Sequence, residues 1–229
     1  MRIGGFQKFS LIDYPGKICA IVFTQGCNFR CPYCHNPELV KPSLFGKTIP
    51  EEEIFSFLEK RKGKLDAVEI TGGEPTLQKD LVDFIRRIKE IGYLVKLDTN
   101  GSNPEILLEI INHGLVDYIA MDIKAPLEKY KEVIHSVINP EKIKRSIRTI
   151  MSSNIRYEFR TTVVKSQLSK EDIINIGKLI EGAELYILQK FISSKTLDPN
   201  FLNEKTYSDK EFKTLKKELE RFVFKCLVR

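Results

Sequence analysis

The chain has 229 residues, of which 42% are hydrophobic and 30% charged, a length and balance that suit one sizeable globular α/β domain and exclude a disordered chain. Thirty-seven Lys and Arg against 31 Asp and Glu leave a formal charge of +6, too slight an excess to argue for nucleic acid as a partner. No run approaches the ~18 apolar residues of a membrane span, and Met1-Arg2-Ile3-Gly4-Gly5 lacks the apolar stretch of a secretory leader, so a cytoplasmic location is expected.

In chain order, six β-rich runs alternate with helical stretches. The predicted strands are 18–25 (ICAIVFTQ), 67–71 (AVEIT), 94–99 (LVKLDT), 118–123 (YIAMDI), 156–164 (RYEFRTTVV) and 184–191 (ELYILQKF). Several are almost continuously apolar, as strands covered on both faces are. Thr48-Ile49-Pro50-Glu51 reads as a capping box opening a helix. Leu81, Phe84, Ile85, Ile88 and Ile91 share one face of the next, which Gly92 ends. Ser169 with Asp172 opens another, and a last amphipathic helix is predicted over about 208–227, with Phe212, Leu215, Leu219, Phe222 and Cys226 on one stripe. Strands alternating with helices imply parallel βα units with right-handed crossovers. A closed eight-stranded barrel uses about 250 residues, so residues 1–229 are expected to form a single domain with an open, partial (β/α)6 TIM-type barrel. A doubly wound sheet is the other architecture that fits. In both, chemistry collects at the C-terminal ends of the strands.

The first strand runs into a loop, 26–36, carrying Cys27-Asn28-Phe29-Arg30-Cys31-Pro32-Tyr33-Cys34-His35. Five cysteines in a chain expected in the cytoplasm point to metal or redox chemistry rather than disulfides. Three thiolates spaced C-x-x-x-C-x-x-C fit an iron–sulfur cluster with one open iron. With His35 as fourth ligand they also fit a Cys3His zinc site. Cys19, inside a strand, and Cys226, on the helix stripe, read as buried apolar positions.

The other polar sets end strands. Taken alone, Gly72-Gly73-Glu74-Pro75 reads as a turn, and so does Asp98-Thr99-Asn100-Gly101. Asp122, in Met121-Asp122-Ile123-Lys124, interrupts an apolar strand, which is costly unless the charge is paired or liganded. An ion pair of Lys124 with Asp122 or Asp98 would satisfy it, as a pair with Glu158 would satisfy Arg160. His113 and His135 read as helix-surface residues.

The cysteine spacing, with aromatic Tyr33 before the last cysteine and Gly72-Gly73-Glu74-Pro75 ending the second strand, resembles the radical S-adenosylmethionine (SAM) superfamily, whose partial (β/α)6 barrel agrees with the six strands counted independently. Phe9-Ser10-Leu11-Ile12-Asp13-Tyr14-Pro15-Gly16 and Cys34-His35-Asn36-Pro37 look like the activating proteins of anaerobic ribonucleoside-triphosphate reductase, relatives of the pyruvate formate-lyase activating enzyme. The resemblance implies that Cys27, Cys31 and Cys34 hold three irons of a [4Fe–4S] cluster whose fourth iron takes the amino and carboxylate groups of SAM. It places Tyr33 near the adenine and gives the SAM ammonium to Gly72, Gly73 and Glu74. It gives a monovalent cation to Asp98, Thr99 and Asp122, the SAM carboxylate to Lys124, and a further SAM contact to Arg160. Gln189 stands where pyruvate formate-lyase activases tend to carry a histidine near the adenosyl group, a departure from the pattern. The implied activity is reductive cleavage of SAM to a 5′-deoxyadenosyl radical that abstracts hydrogen from a glycine of a partner glycyl-radical enzyme, with a flavodoxin- or ferredoxin-type protein as electron donor. The rival readings are a small-molecule radical SAM enzyme, such as a 7-carboxy-7-deazaguanine synthase, and a non-enzymatic zinc-binding module.

Overall fold

The computed structural model describes all 229 residues. In chain order the elements are β1 (Ile3–Ser10), β2 (Cys19–Thr24), α1 (Pro37–Val40), α2 (Glu51–Lys60), β3 (Ala67–Gly72), α3 (Leu81–Ile91), β4 (Leu94–Thr99), α4 (Pro104–Asn112), β5 (Tyr118–Asp122), α5 (Tyr130–Ile134), α6 (Pro140–Met151), β6 (Arg156–Val163), α7 (Lys170–Leu179), β7 (Tyr186–Lys190), α8 (Asp209–Leu219) and β8 (Cys226–Val228). The strands form one sheet in sequence order, and β1 does not pair with β8, so the barrel stays open. β1 runs antiparallel to β2; every other neighbouring pair is parallel. β2 to β7 are the six strands expected from sequence.

Three expectations are corrected. The sheet has eight strands rather than six, with β1 and β8 as its edges. The helix expected to open at a Thr48–Glu51 capping box, α2, begins at Glu51 with Pro50 as its cap and no side-chain capping bond. Ile49 is held extended by its N–H bond to the Ile3 carbonyl at 2.9 Å, and Glu51 turns to the N-terminal amine and Arg87. The last helix ends at Leu219, not near 227. The Phe222 carbonyl accepts from Gly182 N–H at 2.8 Å, Phe224 N–H donates to Ala183, and Tyr186 N–H donates to the Lys225 carbonyl. The main chain of 222–225 is thus taken up along the approach to β7, and Cys226 enters a strand. The capping box of Ser169 with Asp172 and the left-handed Gly92 after α3 are present as read.

Alternation along the strands divides the core in two. Val22, Ile70, Leu97, Ile119 and Phe159 point outward into a large apolar layer shared with the helices. The opposite face lines the inside of the open barrel, where no helix covers it. Its N-terminal end is closed by a small separate cluster of Tyr14, Cys19, Ile21, Ala67, Tyr118 and Ala120. Tyr14 enters from the β1–β2 connection, is fully buried, and lies 5.7 Å from the Tyr118 ring. The same face continues toward the C-terminal strand ends through Glu69, Lys96, Asp98, Asp122, Glu158 and Arg160, so the barrel interior passes from apolar to ionic.

Truncating the plug should therefore act on the whole barrel. Tyr14→Ala is expected to lower unfolding stability by about 3 kcal/mol, the usual scale for emptying a buried aromatic position, with an unchanged denaturant slope. Chemical denaturation followed by circular dichroism checks this, and a loss under 1 kcal/mol would deny Tyr14 the role of plug.

Candidate active site

The cluster loop lies across the C-terminal ends of β2 and β3, and main chain fixes it there. Gly26 N–H donates to the Leu39 carbonyl at 2.8 Å, and the Gly26 carbonyl accepts from Glu74 N–H at 2.8 Å. The two glycines before Glu74 make this approach possible. A Cβ on Gly73 would stand 2.1 Å from the Gly26 carbonyl oxygen, and one on Gly72, whose φ is +116°, would stand 2.4 Å from Thr24 N. The turn is thus a packing requirement of the loop. Within the loop, Arg30 folds back so that its guanidinium donates to the Cys27 and Phe29 carbonyls at 2.6 and 2.7 Å. Arg30 N–H donates to Ile134, and Asp198 N–H donates to the Pro32 carbonyl.

Cys27, Cys31 and Cys34 line one cavity of about 410 Å3 at the strand ends. Burial pushes the Cys27 thiol up to about 12 and the Cys31 thiol to about 11, and it raises Cys34 as well. The buried site therefore favours thiols until a metal replaces the protons, as metal–thiolate bonding does. No three His, Cys, Asp or Glu side chains gather closely enough to hold a single ion, whereas a zinc site needs its thiolates to converge about 2.3 Å from one centre. His35 also lines the cavity, but its Nε2 lies 2.9 Å from the Ile192 carbonyl and its ring stacks on Phe191. Three thiols lining one cavity suit the multi-iron cluster read from the sequence, and the His35 Nε2 is occupied by main chain. Cys19 and Cys226 are buried in the inner and outer apolar clusters.

The sequence-selected polar residues from the other strands meet at the same cavity: Tyr33, Gly72, Gly73, Glu74, Asp98, Thr99, Asp122, Lys124, Arg160 and Gln189 all line it. Their side chains are not equally available. Glu74 is fully buried, and both of its oxygens are engaged. Oε1 accepts from Thr76 N–H (3.1 Å), Thr76 Oγ1 (2.6 Å) and Thr99 Oγ1 (2.7 Å), and Oε2 accepts from Asn100 N–H (2.6 Å). Burial raises its carboxyl against the pull of these donors. Glu74 is thus a clamp joining the ends of β3 and β4. Tyr33 points its ring into the core, with Lys124 Nζ 6.0 Å from the ring centre. Gln189 Oε1 lies 3.5 Å from Thr162 Oγ1.

The charges form a ladder. Lys96, 1% exposed, pairs with Glu69 at 2.7 Å and Asp98 at 2.6 Å. Arg160 bridges Asp98 and Asp122, both at 2.9 Å, and Lys124 pairs with Asp122 at 3.0 Å. The Asp122–Lys124 pair is present as the sequence allowed. Asp98 pairs with Lys96 and Arg160 instead of Lys124, and Glu158 stands 3.9 Å from Arg160. Burial raises Asp98 and Asp122, but Arg160, with Lys96 for one and Lys124 for the other, outweighs it and holds both carboxyls below their ordinary range. Burial and the neighbouring Asp98 push Glu69 up. The guanidinium thus stands between the two carboxylates assigned by resemblance to a monovalent cation, while Thr99 faces Glu74. Sequence reasoning passed over Lys96, Glu69 and Asn100. A lone lysine in a strand signals nothing until its neighbours are known, although Glu69 and Lys96 each break an apolar run.

Removing the bridge should expose the ladder's energetics. Arg160→Leu leaves Asp98 and Asp122 short of a counter-ion, with an expected stability loss of about 3 kcal/mol at pH 7. The two carboxyls then rise, so they bind protons in the folded variant that the native protein does not. The deficit should shrink as pH falls from 7 toward about 4, through the variant's raised carboxyl range, and further as the native carboxyls protonate in turn. Urea unfolding at pH 7 and pH 4 measures it; a deficit that grows on acidification would contradict the ladder.

The profile of the Radical SAM superfamily matches residues 21–180. A Methanocaldococcus jannaschii protein, named provisionally as a glycyl-radical enzyme activating enzyme, is 37% identical over 99% of this chain and 95% of its own length. The pyruvate formate-lyase-activating enzyme of Clostridium pasteurianum is 37% identical over 54% of the chain and 52% of its own length. The 7-carboxy-7-deazaguanine synthase of Koribacter versatilis is 41% identical over 50% and 47%. Among solved structures, Streptococcus suis SuiB bound to S-adenosylmethionine superimposes with a TM-score of 0.70 at 14% identity, a likeness of fold covering 91% of this chain and 49% of SuiB. With the family profile spanning most of the barrel and a full-length relative of the activating-enzyme kind, the chain belongs to the radical SAM superfamily, enzymes that use a [4Fe–4S] cluster and S-adenosylmethionine.

Proposed function

We propose that this enzyme is a glycyl-radical enzyme activase whose partner is anaerobic ribonucleoside-triphosphate reductase, with a flavodoxin- or ferredoxin-type protein as electron donor. When bound, the reduced cluster would give one electron to the sulfonium of SAM, whose C–S bond would break to methionine and a 5′-deoxyadenosyl radical able to take a hydrogen atom from the partner's glycine. The observation that carries the activase reading is the relative of the activating-enzyme kind aligned over 99% of the chain. The motifs Asp13-Tyr14-Pro15-Gly16 and His35-Asn36-Pro37 support the choice of reductase.

In this reading Cys27, Cys31 and Cys34 provide the thiolates. Glu74 is fully buried and both of its oxygens already accept bonds from this turn and from β4, so the SAM ammonium falls to the main-chain carbonyls at Gly72 and Gly73, and Glu74 keeps their turn in place. Lys124 and Arg160 present positive charge to the SAM carboxylate while Asp122 holds them both. Tyr33 and Gln189 flank the adenosyl side. Arg160 stands between Asp98 and Asp122, so a monovalent cation beside SAM would share these two carboxylates with the guanidinium. Localisation in the cytoplasm belongs to the same reading; no helix is long and apolar enough to cross a membrane.

The second reading, a 7-carboxy-7-deazaguanine synthase, draws on the Koribacter versatilis relative, which matches half of the chain. One assay separates the two. Reduced, anaerobically reconstituted enzyme is mixed with SAM and the reductase, and EPR is expected to show a glycyl-radical doublet on the reductase together with released 5′-deoxyadenosine. SAM cleavage with no radical on the reductase would overturn the partner, and turnover of the pterin substrate would favour the synthase.

The cysteines give a further test. About four irons per chain are expected in the native protein. Cys27→Ala, Cys31→Ala and Cys34→Ala should each abolish SAM cleavage. Cys19→Ala and Cys226→Ala should retain iron and activity at a stability loss of roughly 1 kcal/mol or somewhat more from lost packing. Iron loss in Cys226→Ala would refute the three-cysteine assignment.

A further inference from the structure

Asn100 sits in what the sequence presents as an ordinary Asn-Gly turn after β4, yet it is 6% exposed and every polar group of its side chain is committed. Its Oδ1 accepts from Ser102 N–H at 2.9 Å, which fixes which end of the amide is nitrogen. Its main-chain N–H is held by Glu74 Oε2 at 2.6 Å. That leaves two N–H donors on Nδ2. Nδ2 lies 2.9 Å from Asn28 Oδ1 and 3.9 Å from Cys27 Sγ. Cys27 Sγ receives a second donor, Phe29 N–H, at 3.4 Å.

We propose that Asn100 is a positioning residue that donates an N–H···S hydrogen bond to the Cys27 thiolate and thereby raises the reduction potential of the cluster. This rests on the assignment of Cys27 as a cluster ligand. A turn needs only the Oδ1 acceptor, and aspartate would supply that equally well; only asparagine adds a donor facing the sulfur. Reduction places negative charge on the cluster and its thiolates, and a hydrogen bond to a charged acceptor strengthens with that charge. The donor therefore favours the reduced state, the direction in which hydrogen bonds to cluster sulfurs act. Glu74 becomes the link: the last acidic residue of the Gly-Gly-Glu motif grips the Asn100 main chain, so the turn that packs the cluster loop also aims the amide at its first cysteine.

The test uses the reconstituted holoenzyme. The midpoint potential is read by EPR-monitored redox titration in the native protein, in Asn100→Leu, which removes the donor without adding charge, and in Asn100→Asp, which keeps the turn acceptor. Both variants, at full iron content, are expected to need a potential lower by at least about 59 mV for half-reduction, a tenfold change for one electron. Independently, native protein carrying nitrogen-15 in its asparagine side-chain amides is expected to show a hyperfine coupling to the reduced cluster in pulsed EPR, a coupling that Asn100→Leu loses. An iron-loaded Asn100→Leu with unchanged potential overturns the proposal, and so does the absence of coupling in the native protein, a measurement that stands even where a variant fails to take up iron. A native chain that binds no iron overturns the site assignment and this proposal together.

Discussion

The inner face of an open barrel has no helix to cover it, and the way this chain fills that face governs the rest of the molecule. Apolar side chains and Tyr14 occupy one end; at the other, Lys96, Arg160 and Lys124 are interleaved with Glu69, Asp98 and Asp122. Buried charges are tolerated only when paired and hydrogen-bonded, and here the pairs run from strand to strand, Glu69 to Lys96 across β3 and β4, Asp98 to Arg160 from β4 to β6 and Asp122 to Arg160 across β5 and β6, so these strands are cross-linked through their side chains as well as their ladders. The arrangement holds the strand ends in a fixed relation beneath the cluster loop. It also leaves the cavity floor rich in groups of defined charge for a zwitterionic ligand with a carboxylate and an ammonium.

Much of this was legible in the sequence. The six central strands announced themselves as apolar runs because both of their faces are buried over much of their length, and the polar residues at their ends stood out for the same reason. The cysteine loop and Gly-Gly-Glu-Pro were legible through spacing. The outer strands were not: β1 reads IGGFQKFS, with two glycines and a half-polar pattern suited to an edge, and Cys226 continued the helical spacing of Leu215, Leu219 and Phe222 although the chain had already left the helix. Helical period and strand membership compete over such short segments, and tertiary pairing with β7 decided the outcome.

Side-chain commitments were the least legible layer. Nothing in Gly-Gly-Glu-Pro says that the glutamate turns inward to grip Thr76, Thr99 and Asn100, and nothing in the arginine of β6 says that it spans two aspartates from different strands. Those facts depend on which strands are neighbours and in what register, with Asp122 opposite Arg160 across β5 and β6. Sequence identified the residues that matter here far better than it identified their partners.

The antiparallel edge strand carries a consequence for the behaviour of the protein in concentrated solution. Beyond Ile3, whose carbonyl takes the Ile49 N–H, β1 leaves main-chain groups unpaired on its outer side, the kind of template along which sheets of separate molecules join. It is a poor template as built. Its pairing with β2 is interrupted twice, between Ile3 and Gly5 and between Gln7 and Ser10, and irregularities of this kind twist an edge out of the flat geometry that a second sheet needs. Exposed Gln7 and Lys8 set a polar amide and a charge on the same edge. The open barrel can therefore leave its flank unclosed while that flank discourages self-association.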